Sequence, residues 1–73
     1  MPHESRPKLQ VLMAGKRRYI SVPSRHAGDL LAFLRSHGVR SAPPEPDSTG
    51  FDSIELHAKT DVAAVQKLLD GWV

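Results

Sequence analysis

The sequence predicts an α+β fold, a two-layer β-β-α-β-β-α sandwich with a four-stranded mixed sheet covered on one face by two helices. Three observations carry this reading. Apolar residues alternate in "KLQVLM", "RYISV" and "DSIELHA", the period of half-buried strands. They recur at helical spacing in "SRHAGDLLAFLRSHGV" and "DVAAVQKLLDG". Glycine and proline separate these segments at points where a chain must turn.

Residues 1–7, "MPHESRP", hold two prolines and no apolar period, so a disordered tail is expected before a single domain over 8–73. In the first strand Leu9, Val11 and Met13 alternate with Lys8, Gln10 and Leu12. "AGKR" supplies a glycine for a hairpin turn. In the second strand Ile20 and Val22 share one face, Tyr19 and Ser21 the other, and Pro23 ends the ladder because it has no N–H to donate. Ser24 is the expected N-cap of the first helix, although Gly28 weakens its opening turns and moves the expected start of regular helix toward Asp29. Ala27, Leu30, Leu31 and Leu34 form its stripe, and Phe33 widens it. Gly38 followed by Val39 reads as a Schellman stop, with Val39 returning to Leu34.

"VRSA", residues 39–42, is expected to be a short third strand, and "PPEPDSTG" a stiff and then turning loop. In the fourth strand Ile54, Leu56 and Ala58 point inward, while Ser53, Glu55 and His57 point outward. Thr60 is the expected cap of the second helix, Asp61 suits its dipole, and Val62, Val65, Leu68, Leu69 and Trp72 share its buried face. A right-handed crossover from strand 2 through the first helix would set strand 4 parallel beside strand 2. Hairpins then place strands 1 and 3 outside, in the order 1-2-4-3. This topology resembles a ferredoxin-like sheet whose final strand has been permuted to the N-terminus. The resemblance is one of topology and implies no function.

A 73-residue chain without cysteine has neither disulfides nor thiol chemistry to rely on. Domains of this size bury only about 60% of the surface their unfolded chains expose, so self-association is an economical route to more buried area. The longest apolar run is "LLAFL", well short of the roughly 20 residues that span a bilayer, and the N-terminal stretch lacks the apolar core of a signal peptide. A cytoplasmic location without membrane contact is the expectation.

Charge is unevenly spread. Residues 1–40 carry eight Lys/Arg against two Asp/Glu, while residues 41–73 carry two against six. The basic half either meets an anionic partner or is balanced within the fold by the acidic half. Lys16, Arg17 and Arg18 followed by Tyr19 are the expected contacts if the partner is nucleic acid, with phosphates on the cations and a base on the ring. Basic residues at a hairpin also protect an edge strand from pairing with another chain.

Catalysis finds little support. His3, His26, His37 and His57 lack metal-pair spacing, and Ser24, His26 and Asp29 do not by spacing form a relay. Arg40, Pro43 and Pro46 fit a basic-x-x-Pro-x-x-Pro pattern, which a rigid polyproline II crossing between strands explains better than a recognition motif does. No enzyme activity, cofactor or metal is expected. The expected function is a non-enzymatic interaction or regulatory module that binds a protein partner or itself, as a homodimer. It would use the strand edges or the open sheet face, where Leu12, Tyr19, Ser21, Glu55 and His57 stand beside Gln10. The alternative is the nucleic-acid reading of the basic hairpin.

Overall fold

A computed structural model describes residues 9–72, and the tail expected over 1–7 lies outside the described residues. The elements are β1 (Val11–Ala14), β2 (Arg17–Pro23), α1 (Ser24–Ser36), β3 (Glu45–Ser48), β4 (Phe51–Glu55) and α2 (Val62–Asp70). The strands form one sheet in the order β1-β2-β4-β3.

Gly15 and Lys16 make the turn between β1 and β2, with Ala14 opposite Arg17. Gly15 has φ 62°, the positive value that a two-residue hairpin turn requires and that glycine adopts without a Cβ clash. Ile20 and Val22 on β2, Ile54 on β4 and Leu30 and Leu34 on α1 are fully buried, and Val65, Leu69 and Trp72 from the α2 end complete the same cluster. Both helices therefore cover one face of the sheet. Each fully buried Ile or Leu contributes about 1.5–3 kcal/mol. The Trp72 ring meets the His26 ring edge-on at 6.3 Å and the tilted Phe33 ring at 6.2 Å, which ties the end of α2 to α1.

The stop of α1 follows the sequence pattern closely. The Val39 N–H donates to the Leu34 carbonyl at 2.9 Å, and the Gly38 N–H donates to Arg35 at 3.0 Å. Gly38 has φ 76°, the left-handed position of a Schellman motif.

Four expectations need correction. The sheet is antiparallel throughout rather than mixed, since β2 pairs with β4 antiparallel, as do β1 with β2 and β3 with β4. The reason lies in the path of the chain. A helix leaving the end of β2 returns toward its start, so the next strand to leave, β3, runs parallel to β2. The hairpin then inserts β4 between them, opposed to both.

The third strand is Glu45–Ser48, inside the segment expected to be loop, and Ser41 makes only an isolated bridge to Leu56. All four β3 residues are exposed, so no apolar alternation marks it; pairing to β4 alone makes it a strand.

Helix α1 begins at Ser24, without the delay expected of Gly28. Pro23 stands at the N-cap position, where no side-chain cap forms, and the Ser24 hydroxyl donates instead to Asp52 Oδ1 at 2.6 Å.

Asp61 rather than Thr60 caps α2, its Oδ1 accepting from the Ala64 N–H at 3.2 Å.

Candidate interaction surface

The side of the sheet away from the helices carries the candidate site. Cross-strand pairing assembles it in rows, because directly opposed residues project from the same face. Leu12, Tyr19 and Glu55 form one row across β1, β2 and β4. Ser21, Ser53 and Glu45 form the next, and Pro23, Phe51 and Ser48 the last. Arg17 stands on the other side of the Tyr19 row, opposite Ala14. Leu12 is 37% exposed and Phe51 42%, two large apolar side chains left uncovered on one surface.

The β1–β2 hairpin end of this face is ordered by charge. Arg17 Nη2 donates to Glu55 Oε1 at 3.2 Å, and the Arg17 guanidinium carbon lies 5.8 Å from the centre of the Tyr19 ring. Tyr19 is half-buried. The cation thus fixes the ring from one side and neutralises the carboxylate beside it.

Of the expected face residues, Leu12, Tyr19, Ser21 and Glu55 come together in adjacent rows. His57 follows two residues after Glu55 and shares a groove with it. It lies past the end of β4, where its N–H donates to the Arg40 carbonyl and its Nδ1 accepts from the Lys59 N–H at 3.1 Å. There it also lines a groove of about 400 Å³ with Val39, Arg40, Lys59 and Ala64. The groove shared with Glu55, of about 280 Å³, holds Ser41, whose buried hydroxyl has no hydrogen-bond partner among the described residues.

The basic hairpin divides into three different roles. Lys16 sits exposed in the turn. Arg17 belongs to the open face. Arg18 projects the other way, where its Nη1 donates to the carbonyls of Ala58 and Thr60, the latter at 2.9 Å. It thereby anchors the connection from β4 to α2. Three adjacent cations in the sequence therefore do not form one cationic patch, because neighbours on a strand point to opposite faces.

Reasoning from the sequence missed Phe51 and Glu45 as members of the face. Both lie at or within β3–β4 hairpin positions whose pairing the loop-like composition concealed. The pattern Phe51, Ser53, Glu55 carries the period-2 signal that would have placed Phe51.

Both edges of the sheet are guarded. At β1 the Gln66 side chain reaches across from α2, its Oε1 accepting from the Val11 N–H at 3.0 Å and its Nε2 donating to the Leu9 carbonyl at 3.1 Å. At the opposite edge Pro46 removes an N–H donor from β3, Pro43 and Pro44 lead into the strand, and the register shifts between Pro46 and Ser48. Among the described residues, no group of three His, Asp or Glu gathers in metal-binding geometry, and no helix is long and apolar enough to cross a membrane.

No family model, curated protein sequence or solved structure matches this chain.

Proposed function

We propose that this chain is a non-enzymatic interaction module whose open sheet face docks against a protein surface, a second copy of itself first among them. The single observation carrying this reading is the face itself: Leu12 and Phe51 uncovered on a surface where Arg17 lies over the Tyr19 ring and pairs with Glu55. Such a face offers apolar contact area with an aromatic anchor, and polar groups that can hydrogen-bond at its rim. The guarding of both edges by Gln66 and the prolines favours the face over strand addition. The strand order, with β4 inserted between β2 and β3, favours reading the topology as a permuted ferredoxin-like sheet. A cytoplasmic location is part of the same proposal.

The nucleic-acid reading ranks second, because Arg18 is occupied with the 58–60 loop and Arg17 with Glu55, leaving Lys16 as the hairpin cation without a partner among the described residues. Sedimentation equilibrium across a concentration series, for wild type and for Leu12→Glu with Tyr19→Glu, tests the face. Association by the wild type and its loss in the variant is the expected result. A wild type that stays monomeric at high micromolar concentration, or a dimer indifferent to both charges, overturns it. Oligonucleotide binding that weakens steeply with salt would instead support the hairpin.

A further inference from the structure

The charges on the open face have a layout that specifies how a second copy would sit, and this inference rests on the face reading above. Lys16, exposed in the β1–β2 turn, and Arg17 beside it occupy one corner of the sheet. Glu45 and Asp47, both exposed, occupy the β3 edge. Glu45 lies in the Ser21–Ser53 row, toward the end of β2 remote from Lys16. The basic and acidic corners are therefore diagonally opposed across the face.

Two copies meeting face to face in a closed dimer are related by a two-fold axis lying in the interface. An axis along the strands, or directly across them, sets Lys16 over neither its own counterpart nor the acidic corner. An axis along the diagonal through the two charged corners stacks Lys16 on Lys16 and Glu45 on Glu45, which repels at both ends. The other diagonal sets each basic corner over the partner's acidic corner, twice by symmetry. That axis passes near Tyr19 and Glu55. Each Tyr19 then meets its own counterpart, and each Glu55 enters the centre already neutralised by Arg17 at 3.2 Å.

We propose that this chain forms a homodimer through its open sheet face about that diagonal axis, with Lys16 of each protomer beside Glu45 of the other and the two sheets crossed at a steep angle. A steep crossing belongs to the orthogonal class of sheet packing. The two ion pairs act chiefly in choosing this orientation over the alternatives, since exposed pairs add little affinity.

The chain has no cysteine, so single introduced thiols report geometry without background. Lys16→Cys and Glu45→Cys are both made at exposed positions, mixed, allowed to exchange subunits, and oxidised mildly alongside each variant alone. The expected product is a disulfide-linked heterodimer in the mixture, with little linkage in either variant by itself. Linkage of Lys16→Cys to itself selects the other diagonal and overturns the arrangement. So does an absence of heterodimer from a mixture that sedimentation shows to be dimeric, and in both cases the face reading survives. A monomeric wild type overturns the arrangement and the face reading together.

Discussion

The side-chain amide of Gln66 takes the place of a neighbouring strand beside Val11. Its oxygen lies 3.0 Å from the Val11 nitrogen, while its nitrogen lies 3.1 Å from the Leu9 carbonyl oxygen and also reaches Asp70 Oδ1. A single residue on α2 thus satisfies two backbone groups that an edge strand would otherwise offer to water or to another chain.

Gln66→Ala should cost about 1–3 kcal/mol, because the part-buried Val11 N–H loses its partner. Hydrogen exchange at the Val11 amide should accelerate, and the protein should acquire slow, concentration-dependent association through the freed edge. Gln66→Glu should be intermediate, since a carboxylate accepts from Val11 but has no N–H for Leu9. Unchanged exchange at Val11 in the alanine variant would show that the amide contact does not protect the edge.

Arg17 and Arg18 should respond differently to truncation. Arg18 donates to two backbone carbonyls in the β4–α2 connection, one bond exposed and one part-buried, which together should contribute about 1–2 kcal/mol. The Arg17 side chain is 61% exposed, and its pair with Glu55 should contribute less than about 1 kcal/mol. Chemical denaturation of Arg18→Ala and Arg17→Ala checks the order. Equal midpoints would remove the anchoring role assigned to Arg18.

Gly38→Ala should destabilise by roughly 1 kcal/mol. No atom lies within 4 Å of where the new Cβ would stand, so the cost is one of backbone conformation and not of a clash. Gly28→Ala provides the contrast: it occupies equally open space within α1 and has no positive φ, so it should stabilise by roughly 0.5–1 kcal/mol. Opposite shifts in thermal midpoint are the expected outcome.

Trp72→Ala should be the most damaging of these substitutions, at about 3–5 kcal/mol, because the ring is 5% exposed and packs against both His26 and Phe33. Trp72→Phe should recover a large part of that loss. If the alanine variant melts within a few degrees of wild type, the end of α2 is not part of the cooperative core.

Local pattern by itself determined the elements whose signal is complete within a few residues. The Gly15 turn, the Ile20–Val22 core strand, the Leu30–Leu34 stripe and the Gly38–Val39 stop are all read from spacing, because sterics and side-chain period act over one or two turns of chain. The strand order also followed from the succession of elements. Tertiary structure alone decided what depends on long-range pairing. Glu45–Ser48 has no apolar alternation and becomes a strand because β4 lies beside it. The three adjacent basic residues look like one site in the sequence, yet alternation sends Arg17 to Tyr19 and Glu55 and Arg18 to the carbonyls of Ala58 and Thr60. Which charge meets which group is set by partners about forty residues away, and no short window of sequence contains them.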